Sequence, residues 1–134
     1  MSQENVEIVR RAIAASTSEP PDAETLSVLL AADHVLTSDW GVGRGTHHGV
    51  QGYLAARAEL SAAFDPWEQE IERVLDAGDR GVVVLLRLKA HGRESEAPGE
   101  QAWAMVVTLR DGRIVTSRVF LDQDQALKAV GLEE

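Results

Sequence analysis

Apolar residues recur at helical spacing from the start of the chain. Val6, Val9 and Ile13 form a stripe that Ile8, Ala12 and Ala15 widen, which predicts a helix over residues 3–15 with Ser2 as its N-cap. The polar stretch from Ser16 to Asp22 contains Pro20 and Pro21 and breaks it. Asp22 is placed to cap a second helix whose apolar face is Leu26, Leu29 and Leu30. From Asp33 to Trp40 the pattern is strand-like, centred on Val35, Leu36 and Thr37. Gly41, Gly43, Gly45 and Gly49 predict a loop. A third helix is predicted over residues 50–64, with Val50, Leu54, Leu60 and Phe64 inward and Tyr53 beside them, and Pro66 stops it.

Beyond Pro66 the period changes to that of strands. Residues 67–75, 82–91, 102–109 and 114–121 are predicted strands. They are separated by the Asp76–Arg80 turn, a polar segment from Gly92 to Gly99, and the tight Asp111-Gly112 turn. A short helix over 123–130 ends at Gly131, placed as a C′ glycine. Helices first and a strand meander last predict an α+β fold, with helices on one face of a mostly antiparallel sheet. No internal repeat or low-complexity tract interrupts residues 1–134, which read as a single domain.

Composition narrows the function. The 134 residues are 44% hydrophobic, enough for a chain of this length to bury roughly two thirds of its surface around a core with a modest cavity. Thirteen basic against 22 acidic residues give a net charge of −9, which argues against nucleic acid and against an anionic membrane surface. The absence of cysteine excludes disulfides and thiol catalysis and disfavours structural zinc. The run from Val82 to Leu86 is far too short to span a bilayer, and the opening Ser2-Gln3-Glu4 lacks a signal pattern, so a cytoplasmic protein is expected.

Several segments carry a resemblance. The opening Met-Ser-Gln-Glu-Asn-Val-Glu-Ile-Val-Arg-Arg-Ala, the Asp76-Ala77-Gly78-Asp79-Arg80 turn before a Val run, Thr108 to Ile114, and Phe120-Leu121-Asp122 leading into Ala126-Leu127 together resemble the SnoaL-like branch of the nuclear transport factor 2-like superfamily. The resemblance covers nearly the whole chain. It implies a curved sheet wrapped around the N-terminal helices, a cone with one apolar pocket at its open end, and a homodimer. It does not choose among isomerases, dehydratases, epoxide hydrolases, polyketide cyclases and non-catalytic binders, because fold does not fix function. No cofactor is expected, and the partner expected is a small hydrophobic molecule.

Strand alternation sorts the candidate side chains. Val35 matches the family's core position, which implies that Thr37 and Asp39 also point inward. Asp39 in an apolar pocket would suit proton transfer; the alternative is a turn residue bonded to the Gly-rich backbone. Trp103, Met105, Val107 and Leu109 share an apolar face, as do Val82, Val84, Leu86, Leu88 and Ala90, which are assigned to the core. Ile114, Thr116, Arg118, Phe120 and Asp122 share a face, and the resemblance implies pocket roles for Arg118, Phe120 and Asp122. Asp122 has an opposing structural role as cap of the last helix, with Gln125 three residues on, and the cap is the first expectation. Arg118 would bind a carbonyl or carboxylate, or pair with Asp122. The family often has Tyr where Phe120 stands, so Tyr53, the only tyrosine, is the remaining phenol. His47, beside His48 in the loop before the third helix, is a candidate acid or base, and a metal site is not expected. His34 and His91 read as surface or strand-end residues. Trp103, Met105 and Phe120 would make a greasy lining, with Trp40 and Trp67 at a rim or dimer contact. The leading function is cofactor-independent proton transfer on a hydrophobic carbonyl compound, with Asp39 or Asp122 as base. The alternatives are a non-catalytic small-ligand binder and a protein-interaction module using the exposed sheet face.

Overall fold

The computed structural model describes residues 2–38, 44–92 and 98–132. Helix α1 (Ser2–Thr17) buries the stripe its sequence predicts, with Val9 and Ala12 almost fully enclosed. Helix α2 (Ala23–Leu29) is capped by Asp22, whose Oδ1 accepts the Thr25 N–H at 3.0 Å while Oδ2 accepts the Thr25 hydroxyl at 2.7 Å. Strand β1 (Leu30–Ser38) follows with no linker. Strand β2 (Gly45–His48) lies where the glycines predict a loop, and pairs antiparallel with β1, Leu36 opposite His47. Helix α3 (Gly49–Ala63) then starts at once. Gly52 lets it lie on the β2 backbone, since a Cβ there would fall 2.8 Å from the His47 carbonyl carbon.

Four long strands complete the sheet: β3 (Phe64–Asp76), β4 (Val82–Gly92), β5 (Pro98–Arg110) and β6 (Arg113–Phe120). The order is β2-β1-β6-β5-β4-β3, and only the β1–β6 pair is parallel. The α+β class, the antiparallel meander and the helices-first order are as the sequence predicts. Helix α4 (Gln123–Ala129) ends in a Schellman turn, with Gly131 at φ 75° and the Leu132 N–H donating to the Leu127 carbonyl at 2.9 Å. No helix among the described residues is long and apolar enough to cross a membrane.

One expectation needs correction: the helices do not all lie on one face. The main core gathers α1, α2 and Tyr53 of α3 against Val82, Val84, Leu86, Met105 and Val107. Helix α4 packs on the other face, where Ala126 and Val130 meet Val83, Leu85, Ala104 and Val106. The middle strands are apolar on both faces at this end because both faces are covered.

A second correction concerns which residues of β1 and β6 face inward. Leu109 pairs with Ile114, but Thr108 pairs with Thr116, so Val115 is an extra residue in β6. An inserted residue reverses the alternation after it. Ile114 is therefore buried in the main core, yet beyond the bulge Ser117 and Val119 face the concave side. From His34 to the end of β1 the enclosed residues are His34, Leu36 and Ser38, while Val35 and Thr37 are only half-buried.

Candidate functional site

The concave side of the sheet, closed by α1 and α3, holds a cavity of about 380 Å³. Its floor follows from the strand register. Gln69, Leu88 and Gln101 lie opposite one another on β3, β4 and β5, and Leu86 lies opposite Trp103 one step along. Leu36 and Ser38 of β1, Met105 of β5 and Val119 of β6 extend this wall. Ile13, Tyr53 and Leu60 form the helix side, with Phe64 at the start of β3 beside them. Four of the six aromatic residues, Tyr53, Phe64, Trp67 and Trp103, meet here.

Each polar group on the wall is tied down. Trp103 Nε1 donates to Gln69 Oε1 at 3.0 Å, and Trp67 Nε1 donates to Ser61 Oγ at 3.1 Å. Tyr53 is 8% exposed. Burial pushes its phenol above the ordinary tyrosine range, opposed by a hydrogen bond with the Ser16 side chain, so it stays protonated at neutral pH. Arg57 Nε donates to the Ser16 carbonyl at 3.1 Å, and Nη2 donates to the Ser18 carbonyl at 3.1 Å and to Glu19 Oε2 at 3.0 Å. Its Nη1 donates to Ser61 Oγ at 3.0 Å, and the guanidinium carbon sits 5.1 Å from the Trp67 ring centre. Arg57 thereby ties α3 to the α1–α2 connection and to β3.

Next to Tyr53 lies a buried polar pair, His34 and Ser117, and the expectation of His34 as a surface or strand-end residue needs correction. His34 is fully enclosed, and its Nε2 lies 3.0 Å from Ser117 Oγ. Its ring centre is 5.7 Å from that of Tyr53. Nδ1 has no hydrogen-bond partner among the described residues. An enclosed N–H without a partner costs more than a bare acceptor, so the proton belongs on Nε2, donating to Ser117. Burial lowers the His34 pKa to about 4, with Asp33 opposing weakly, so the ring is neutral.

The structure brings together some predicted site residues and separates others. Tyr53, Trp103 and Met105 line the cavity. Thr37 and Phe120 do not: Thr37 is on the face of β1 opposite Leu36 and Ser38, and Phe120 packs in the α4 cluster. Arg118 is exposed, with its guanidinium carbon 4.6 Å from the Phe120 ring centre. The Val115 bulge is the reason, since it turns residues 118 and 120 outward. Asp122 caps α4, its Oδ1 accepting the Asp124 N–H at 2.8 Å, as first expected. His47 is half-buried on β2 and is not part of the cavity wall. Asp39 and Trp40 lie outside the described residues. Among the described residues, no His, Asp or Glu lines the cavity, and no three of them gather as a metal would require. The residues that sequence reasoning missed are Arg57, Gln69 and Gln101. Arg57 sits four residues after Tyr53 on α3, a helical spacing that signals a shared face.

The chain can be compared with known proteins on this geometry. No curated protein matches it. A protein classed as a SnoaL-like polyketide cyclase from Jannaschia sp. CCS1 superposes with a TM-score of 0.77 at 20% identity, covering 99% of this chain and 95% of that one. A protein with a ketosteroid isomerase-like fold from Catenulispora acidiphila, solved with trimethylamine, gives 0.72 at 22% identity over 94% and 93% of the two chains. An epoxide hydrolase of M. tuberculosis gives 0.65 at 19% identity over 96% and 86%. At these identities the likeness is one of fold. Residues 9–117 match the SnoaL-like domain, from inside α1 to Ser117 of β6 and so across nearly every element that builds the cavity; the chain belongs to the SnoaL-like domain family.

Proposed function

We propose that the protein binds a small, largely apolar, ring-bearing molecule in the concave cavity. The observation that carries this reading is the wall itself: about 380 Å³ enclosed by aliphatic side chains and four aromatic rings. That volume suits a ligand of one to three rings. The few polar groups, Tyr53, Ser38, Gln101 and Arg57, supply orientation rather than bulk affinity.

A second reading, proton transfer on a bound carbonyl compound without a cofactor, is favoured by Tyr53. A phenol held protonated by burial can donate to a carbonyl oxygen as negative charge develops there. Such a reaction also needs a base, and Asp39, next in sequence to the cavity residue Ser38, is the candidate. One experiment separates the two readings. A neutral aromatic ketone such as 2-acetylnaphthalene is titrated into the protein while tryptophan fluorescence is followed, and the same mixture in D₂O is assayed by NMR for exchange of the protons α to the carbonyl. Saturable quenching without exchange supports binding alone. Exchange above the buffer rate that Asp39→Asn abolishes supports proton transfer. No saturable binding by this or related bicyclic rings contradicts both.

A further inference from the structure

We propose that the ligand carries a negative charge, and that Arg57 receives it: the cavity is built for a small aromatic carboxylate. The proposal rests on the small-molecule reading above and adds the chemical class of the ligand. Arg57 is the only charged side chain on the cavity wall among the described residues, in a chain of net charge −9. Its side chain is 11% exposed, so the cation is largely removed from water. A buried cation requires both charge compensation and hydrogen-bond acceptors.

The acceptors are present, but the compensation is thin. The Ser16 and Ser18 carbonyls and Ser61 Oγ are neutral, leaving Glu19 as the carboxylate partner at 3.0 Å. The Glu19 side chain is 78% exposed, which makes this a solvent-screened pair on the outer side of the guanidinium. A guanidinium has five N–H groups. Four are directed at these acceptors, and the second N–H of Nη1 is the one left to meet a ligand. A carboxylate arriving from the cavity would meet the same cation in a drier setting than Glu19 does, where the attraction is stronger. The head is also held in place in advance. Ser61 Oγ accepts from both Arg57 Nη1 and Trp67 Nε1, and the guanidinium lies over the Trp67 ring. Cation and ring surface are therefore fixed side by side, and Trp103 is fixed by Gln69. An apolar ring with one oxyanion satisfies both at once.

The test compares naphthalene-2-carboxylate with its neutral amide, naphthalene-2-carboxamide, by tryptophan fluorescence titration at low salt. The expected result is a preference of roughly tenfold or more for the carboxylate, the size of one charge-assisted hydrogen bond over a neutral one. Glu19→Gln, at an exposed position, is expected to tighten carboxylate binding several-fold and leave the amide unchanged, because it removes the competing anion. Arg57→Gln is expected to erase the preference; if that variant fails to fold by circular dichroism, the Glu19→Gln result decides. Equal affinities of the two probes for the wild type, or a carboxylate affinity unmoved or weakened by Glu19→Gln, would overturn the proposal while leaving apolar ligand binding standing. Binding of neither probe would overturn both.

Discussion

The two faces of the sheet use the same strands for opposite ends. On the concave face, β3, β4 and β5 present Gln69, Leu86, Leu88, Trp103 and Met105 to a cavity, with the Trp103 indole N–H held by Gln69. On the convex face, the next residues along the same strands form an open charge ladder: Glu70 with Lys89, and Glu72 with Arg87, at 3.4 and 3.2 Å. Arg87 also lies 3.9 Å from Glu100. Elsewhere on this face α4 covers Val83, Leu85, Ala104 and Val106. Gln123 Nε2 sits within 3.2 Å of the Leu86 and Trp103 carbonyls and 3.0 Å from Glu72, which lowers the Glu72 pKa. The convex face thus spends its polar groups on solubility and on docking one helix. The concave face keeps its few polar groups dry and aimed. The difference puts the proposed ligand site on the concave side.

The largest expected contrast in stability comes from truncating each face. Leu86 is 1% exposed and belongs to both the core and the cavity wall. Leu86→Ala is expected to cost about 2–5 kcal/mol in urea unfolding. Lys89→Ala on the convex ladder should cost under about 1 kcal/mol, since its ion pair is exposed. Comparable losses would show that the convex charges hold the sheet together.

The next effect is the pH dependence that His34 contributes. His34 titrates at about 4 when folded against 6.5 when unfolded, so the unfolded chain binds the proton more readily. Its contribution is fully present above pH 6.5 and is lost as pH falls through 4. The whole span is worth about 3 kcal/mol. Unfolding free energy measured between pH 4 and 7 should therefore rise with pH, and His34→Leu should flatten that rise. An unchanged slope in the variant would place the titration elsewhere.

Smaller still is the cap on the convex side. Asp122→Ala should cost about 0.5–2 kcal/mol through the lost Asp124 N–H bond. It should leave ligand affinity unchanged, because α4 lies across the sheet from the cavity. A loss of affinity with stability intact would restore Asp122 to the binding site. The homodimer that the family resemblance implies is a separate expectation. Sedimentation at tens of micromolar checks it, a range set by interfaces of ordinary affinity.

Most of the architecture was legible because its signals are local and repeated. The α1 stripe, the Asp22 cap, the β4 and β5 alternations and the Gly131 stop each follow from residues within a few positions. The site was less legible, for three physical reasons. The Val115 bulge reverses β6, so a simple alternation sends Arg118 and Phe120 to the wrong face. Strand β2 is only four residues of Gly, Thr and His, with no apolar alternation to announce it. Finally, a fully enclosed His34 looks like a surface residue until Ser117, 83 residues away, supplies its partner. Tyr53 is conspicuous as the only tyrosine, on a helix face, whereas Arg57 is one of 13 basic residues and nothing but its spacing from Tyr53 singles it out.

Ligand affinity in a pair of variants, one from each face, tests the account most directly. Leu60→Trp adds bulk at a half-buried cavity position, and Arg118→Ala trims the exposed convex side. Both are titrated with naphthalene-2-carboxylate by calorimetry beside the wild type, after circular dichroism confirms that each is folded. Leu60→Trp should weaken binding by about tenfold or more, because filling a cavity excludes its ligand, while Arg118→Ala should match the wild type. Undiminished binding by Leu60→Trp together with a loss in Arg118→Ala would contradict the concave site and move the function to the other face of the sheet.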